Sequence, residues 1–534
     1  MFHPSRTTRG MVVAPHHLAA EAGLSVLREG GNAIEAMIAA AAAIAVVYPH
    51  MNGLGGDNFW LISRGGKAPV AVDACGAAAG LATCEFYREH GHTNAIPSRG
   101  PLAALTVAGA VSGWARAYEM SKAAGGRMPL ARLLEDAIHH ARAGFPVTST
   151  QAKNNTGKRA ELEHVPGFAG KFMPDGGPPV VGRLFKNAEL AATLEHLARA
   201  GLGDFYKGDL ARSMSADLER AGSPVRLADF ERHQALDVEP LGVRLSQTTA
   251  YGMPPPTQGL ASMMILGLFE RVKPEAADGF EYVHALVEAT KQAFLVRDAE
   301  VTDPAHMSVD PREFLRAADL DARAAKIDRT RALAWPQVAK HGDTVWLGAI
   351  DKDGTAVSFI QSIYWEFGSG VVLPGSGIVW QNRGTAFGLD GAHRHALLPH
   401  RRPFHTIQPA MALFDDGRVM PYGTMGGEGQ PQTQAALFTR YATYGQNLQD
   451  AITAPRWLLG RTWGSDVTNL RIENRFAPDV IAALRAAGHD VEVVGAFEET
   501  MGHAGALVAH TRGACAGTIE GASDPRSDGA AAGY

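Results

Sequence analysis

Apolar positions follow two distinct patterns along this chain. Over 33–48 they are nearly continuous, rich in alanine and interrupted only by Glu35. The run is too short to cross a bilayer and carries a carboxylate, so it predicts a buried helix over 33–47. Pro49 stops it, and Asn52-Gly53-Leu54-Gly55-Gly56-Asp57 reads as a tight glycine turn. Over 345–350 and 355–364 the pattern is strand-like, and Asp351-Lys352-Asp353-Gly354 joins the two runs as a β-hairpin. A charged, helix-prone run over 317–340 precedes the hairpin. Thr344 therefore sits where a polar connector gives way to a strand.

The same reading predicts a strand over 11–14 and a helix over 18–28 closed by Gly30-Gly31-Asn32, then strands over 59–63 and 70–73. The small residues of 107–113 predict close backbone packing. Helices are expected over 114–124, 130–143, 187–200, 209–221 and 260–271, with an amphipathic one over 282–299. A polar connector with short helices fills 300–343. Beyond it the chain is richer in strands, with helices over 431–444, 447–454 and 478–487 and closing strands over 491–494 and 505–510. With no repeat or heptad and no strict βαβ alternation, the expected class is α+β, sheets covered by helices.

Composition narrows the function. A chain of 534 residues with formal charge -5 has ample core and no basic stripe, so nucleic acid is not an expected partner. Cys75, Cys84 and Cys515 form no CxxC pattern, and the first residues carry no apolar secretory segment. A reducing, cytoplasmic setting away from the membrane is expected. Gly423 to Gly429 is not followed by GKS or GKT, and no GxSxG elbow occurs. His393, His395, His400 and His405 lack a nearby carboxylate pair or cysteine partner, so neither a metal nor another cofactor is expected. Asp57 and Glu428 are isolated carboxylates and read as structural.

Local pattern does not single out Thr344, since threonine is a common strand former. A set of motifs does. Gly30-Gly31-Asn32-Ala33, Asn52-Gly53-Leu54-Gly55-Gly56, Met128-Pro129-Leu130, Asp204-Phe205-Tyr206-Lys207-Gly208, Met253-Pro254-Pro255-Pro256, Pro421-Tyr422-Gly423-Thr424-Met425-Gly426-Gly427 and the terminal Gly521-Ala522-Ser523-Asp524-Pro525-Arg526-Ser527 occur in shared order and spacing over nearly the whole chain. Together they resemble the γ-glutamyltransferase family of N-terminal nucleophile hydrolases. The resemblance implies a four-layer αββα sandwich and a precursor that cuts itself into a large subunit, 1–343, and a small one, 344–534, which remain one interwoven fold. By the same match the nucleophile is Thr344. Its hydroxyl is a poor nucleophile without a base, and the α-amine freed by the cut, with an ordinary pKa of about 7.7–8.0, is such a base. The resemblance also assigns Gly426 and Gly427 as oxyanion donors and Ser362 as a hydroxyl bonding the nucleophile. Losing an oxyanion donor costs about 3–4 kcal/mol of transition-state stabilisation.

The chain departs from the family where a γ-glutamyl head would bind. Val72-Asp73-Ala74-Cys75-Gly76 has no arginine for the α-carboxylate. Tyr364 replaces an asparagine, and Arg383 and Ala386 stand where a glutamine and the ammonium-binding aspartate belong. His405-Thr406 replaces a serine pair. A buried unpaired charge is costly, so a γ-glutamyl head should bind poorly, whereas Arg383, with Tyr364, His405 and Thr406, suits a carboxylate without an ammonium. Tyr364 and Trp365 favour a small acyl group. This pattern resembles the oxamate amidohydrolase branch. Glutaryl- or cephalosporin-type acylases and γ-glutamyl (glutathione) hydrolases or transpeptidases are the other enzyme readings, and an uncleaved binding protein is the non-enzymatic one. The expected partners are a small-molecule amide substrate and the two subunits themselves, with a homo-oligomer left open.

Overall fold

The computed structural model describes residues 3–335, 343–460 and 468–534. Two seven-stranded sheets organise it. The first runs Ala530–Gly533, Gly10–Ala14, Asp343–Asp351, Thr355–Tyr364, Asp57–Arg64, Val70–Ala74 and Leu236–Val238. The second runs Ser5–Thr7, Thr518–Ser523, Ala504–His510, Val419–Thr424, Ala410–Phe414, Thr248–Gly252 and Leu241–Arg244. Every neighbouring pair is antiparallel. Strands from either side of Thr344 are interleaved in both sheets.

Three apolar clusters stack the layers. Met11, Phe59, Trp346 and Ile360 of the first sheet meet Met411 and Leu507 of the second. The outer face of the first sheet, with Leu347 and Phe359, packs on helices Ala33–Val47 and Ala110–Ala123, and Leu130–Ala143 lies against Ala33–Val47. The outer face of the second, with Ala412 and Val508, packs on Gly259–Val272 and Gln430–Phe438, which Phe280–Glu300 covers in turn. The order is helix, sheet, sheet, helix. Strand Asp343–Asp351 shows the two-residue period directly: Val345, Leu347 and Ala349 face the helices, while Trp346 and Ile350 face the other sheet. Being apolar on both faces, it is central, as its sequence requires.

Helix Ala33–Val47 is buried at every position. Its carboxylate is explained by a capping box: Glu35 accepts from the Asn32 N–H at 2.9 Å and the Asn32 side chain accepts from the Glu35 N–H at 3.0 Å. The Ala33 N–H donates to Asp351 at 2.9 Å, which ties this helix to the hairpin turn. Among the described residues no helix is long and apolar enough to cross a membrane.

Several expectations shift. Phe280–Glu300 is buried around most of its circumference rather than amphipathic, because the 301–335 connector and the 487–489 turn cover its polar side. Ser149–Leu162 is a helix that its polar sequence hid. Val491–Val494 belongs to a small three-stranded sheet with Trp457–Leu459 and Leu470–Glu473, not to the main sheets. Of the run 317–340, Ala317–Ala324 is helical, and 336–340 lies outside the described residues.

Candidate active site

Thr344 lies in a β-bulge. Asp343 pairs with Tyr364 but Val345 pairs with Gln361, so Thr344 alone faces both Ser362 and Ile363. Bulges of this kind re-aim a side chain. The alternation along the strand sends Thr344 toward the second sheet, and Gln430 meets it there, its side-chain nitrogen 3.1 Å from Thr344 Oγ. Both residues are fully buried in the continuous chain.

The glycine turn of 52–56 shapes this bulge. A Cβ on Gly56 would lie 2.1 Å from the Ser362 carbonyl oxygen, so only glycine permits the approach. Asn52 accepts from the Gln361 side chain at 2.8 Å. Ser362 Oγ accepts from the Tyr364 N–H at 2.8 Å. Tyr364 itself has φ 82°, a left-handed conformation that is costly for a ring-bearing residue and typical of functional sites.

That backbone twist carries the Tyr364 ring under Arg383, whose guanidinium carbon lies 3.7 Å from the ring centroid. Arg383 is only 1% exposed. Its Nη1 donates to Thr406 Oγ at 3.3 Å, while Nε and Nη2 have no partner among the described residues. Burial pushes its pKa down to about 10, against the opposing pulls of Tyr364, Asp57 and Cys75.

His405 is engaged within the protein. Its Nε2 pairs with Asp57 Oδ2 at 3.0 Å and its Nδ1 donates to the Pro403 carbonyl at 2.8 Å. Burial, with Arg383 nearby, holds its pKa below the ordinary value despite Asp57. Asp57 Oδ1 accepts three further bonds, from the Gly76 and Gly109 amides at 3.0 Å each and from Gln381 at 3.1 Å. Asp57 thus fastens the 76 and 109 loops, Gln381 and His405 at one point, opposite Ser362 in the sheet.

The oxyanion candidates follow strand Val419–Thr424. Gly426 has φ 115° and Gly427 φ 52°, so the chain turns sharply before helix Gln430–Phe438. Gln258 braces the turn, donating to the carbonyls of Gly427 at 2.7 Å and Thr406 at 2.5 Å. Arg297 orients that glutamine by donating to its Oε1 at 3.1 Å, and pairs with Glu428 at 3.2 Å. Sequence reading missed Gln258, Arg297 and Gln430. Only the position of Gln430, three residues past the glycine pair, pointed toward the site.

Among the described residues, His284, Glu288 and His489 bring ligand-type atoms within 4.8 Å of one another. The cluster satisfies itself: His284 and His489 bond at 2.8 Å, and the Lys291 ammonium lies 2.7 Å from Glu288, where a metal cation would compete with it. His393, His395 and His400 lie on a partly exposed loop.

A helix–sheet–sheet–helix sandwich with a threonine at the start of a central strand has the architecture of the N-terminal nucleophile hydrolases. Within that class the chain belongs to the gamma-glutamyltranspeptidase family, whose model matches residues 19–534. It is 55% identical over 529 residues to the oxamate amidohydrolase proenzyme of Klebsiella pneumoniae subsp. pneumoniae, covering 99% of both chains. It is 41% identical over 533 residues to the glutathione hydrolase-like YwrD proenzyme of Bacillus subtilis, covering 98% of each. The crystal structure of cephalosporin acylase from Bacillus halodurans superposes with a TM-score of 0.91 at 33% identity, over 100% of this chain and 97% of that one. The chain is an amide-hydrolysing enzyme of this family.

Proposed function

We propose that the chain cuts itself between Asp343 and Thr344 and that the freed Thr344 hydrolyses a small amide bearing a carboxylate, with oxamate as the best-fitting substrate. The observation that carries this reading is the empty edge of Arg383. Nε–H and the neighbouring Nη2–H form the side of a guanidinium that matches the two oxygens of a carboxylate. Arg383 stacks on the ring of Tyr364, which pairs with Asp343, one position from the nucleophile. A carboxylate held there lies close to the scissile carbonyl, which favours a short acid over a glutaryl or γ-glutamyl chain. Asp57, the carboxylate acting on Arg383, already accepts four bonds, which leaves it poorly placed to receive a substrate ammonium.

In the reaction the α-amine of Thr344 takes the Oγ proton as Oγ attacks the amide carbon. The amides of Gly426 and Gly427 receive the developing oxyanion. Collapse breaks the C–N bond, and the ammonium of Thr344 returns its proton to the departing ammonia. Water, deprotonated by the same amine, then cleaves the oxalyl ester to oxalate and free Thr344. Thr406 holds Arg383, and His405 acts through Asp57. Ser362 braces the twist at Tyr364. Cys75, Cys84 and Cys515 are free thiols, which supports a reducing, cytoplasmic setting.

The purified protein should run as fragments of about 37 and 20 kDa on a denaturing gel. The smaller should begin Thr-Val-Trp-Leu-Gly, and Thr344→Ala should stay intact and inactive. The mature enzyme should show its highest kcat/KM on oxamate among oxamate, glutaryl-anilide and γ-glutamyl-anilide. A preference for γ-glutamyl-anilide, or an active Thr344→Ala protein, would overturn the reading.

A further inference from the structure

We propose that Gln430 is a further catalytic residue: its side-chain amide donates to Thr344 Oγ and stabilises that oxygen as it loses and regains its proton. The proposal rests on Thr344 being the nucleophile. Its geometry is specific. Gln430 Nε2 lies 3.1 Å from Thr344 Oγ, and Gln430 Oε1 accepts the Gln408 backbone N–H at 3.2 Å. An amide whose oxygen is engaged by an N–H must present its NH2 group at the other end, so the direction of the bond to Thr344 is settled. The hydroxyl therefore accepts from Gln430.

The surrounding fold holds this amide in place. Gln430 opens helix Gln430–Phe438 immediately after the Gly426-Gly427 turn, which the Gly429 N–H closes onto the Gly426 carbonyl at 2.8 Å. The oxyanion candidates and the donor to Oγ thus share one short element. Gln408, which orients Gln430, is braced by its own side chain donating to Ser262 Oγ at 2.7 Å and by Gln434 donating to its carbonyl at 3.1 Å. Gln408, Gln430 and Gln434 are buried. In such surroundings a correctly aimed donor acts more strongly than it would in water.

The chemistry assigns the donor a step. During attack the Oγ–H bond breaks toward the base and negative charge gathers on Oγ, so the Nε2–H···Oγ bond strengthens. Once Oγ has become an ester oxygen it accepts more weakly, and the bond relaxes. When the ester breaks, Oγ departs as the leaving group, and the same donor again stabilises it. No covalent bond to Gln430 forms or breaks. Self-cleavage and turnover share the Oγ attack, so both should respond.

Two variants test this. Gln430→Met keeps the length of the side chain and removes the donor. Precursor self-cleavage and kcat on oxamate should each fall about ten- to a hundredfold, with KM within about threefold of wild type. Gln430→Glu is nearly isosteric and presents an acceptor when ionised and a donor when protonated. The ratio of its rate to the wild-type rate should therefore rise as pH is lowered, although the wild-type rate itself falls as the α-amine becomes protonated. Melting temperature is measured on both variants. Wild-type cleavage and kcat in Gln430→Met would overturn the proposal. So would a lowered melting temperature with unchanged kcat, or a Gln430→Glu rate ratio independent of pH. An active Thr344→Ala protein instead removes the nucleophile reading itself, a separate outcome.

Discussion

Two buried arginines in this molecule have opposite surroundings. Arg526, near the carboxyl terminus, donates through Nε and Nη2 to the two oxygens of Glu473 at 2.8 and 2.7 Å, and through Nη1 to Asp524 at 3.1 Å. Burial opposes its charge, but Asp524 and Glu473 outweigh burial and hold its pKa above the ordinary value. Arg383 is as deeply buried, yet among the described residues the same Nε and Nη2 edge has no partner, and its pKa is pushed down to about 10. A folded chain gains nothing from desolvating a cation and leaving it unpaired. Arg526 is a structural rivet. On the proposed function, Arg383 is half of an ion pair whose other half is the substrate.

The sharpest test of that contrast is Arg383→Met. Truncating one side of a buried, hydrogen-bonded charge pair costs about 2–5 kcal/mol, and kcat/KM on oxamate should fall accordingly, by about a thousandfold. Stability should be unchanged or rise, because methionine fills the space without a desolvated charge. Arg383→Lys restores a point charge but no fork, and should recover only part of the loss. If Arg383→Met unfolds the protein while sparing kcat/KM, Arg383 is a rivet too and the contrast fails.

Arg526→Met should show the reverse. It removes three charged hydrogen bonds from carboxylates that stay buried, a loss of about 3–5 kcal/mol when nothing compensates. Arg475 still bonds Glu473 at 2.8 Å and Arg456 still pairs with Asp524, so the lower end, about 3 kcal/mol, is expected in urea unfolding. The kcat on oxamate of the folded fraction should be close to wild type.

Much of this was legible beforehand, for identifiable reasons. The helices over 33–47, 130–143 and 209–221 came out residue for residue, because glycine or a capping box punctuates their ends. The hairpin around Asp351 was equally plain. The hub at Asp57 was not: a lone aspartate carries no periodic signal, and its four donors come from distant stretches of chain. Gln430 was hidden for a similar reason, since a glutamine at a helix start looks like any other polar residue until Thr344 is beside it. The left-handed backbone at Tyr364 contradicts local preference and is imposed by packing. Arg383 was legible as a substitution within a motif, but its empty edge is a property of the folded molecule only.

The smallest effect lies beside the rivet. His503 is buried next to Asp524, Arg456 and Arg526, with Glu499 at 4.0 Å, and burial lowers its pKa to about 4. The unfolded imidazole titrates near 6.5. Below that value the unfolded chain takes up a proton that the folded site refuses, so the contribution of His503 is complete above about 6.5 and is lost as pH falls toward 4. Glu499, raised to about 7 chiefly by burial, runs the other way, its contribution being lost as pH rises through 7. Comparing wild type with His503→Gln isolates the histidine, because both proteins keep Glu499. Between pH 7 and pH 5.5 wild type should lose about 1 kcal/mol more than the variant in urea unfolding. Equal losses would mean that His503 takes up its proton as readily in the folded protein as in the unfolded chain, and the carboxylates around Arg526 would then gain a second cation as pH falls, weakening the distinction between the two arginines.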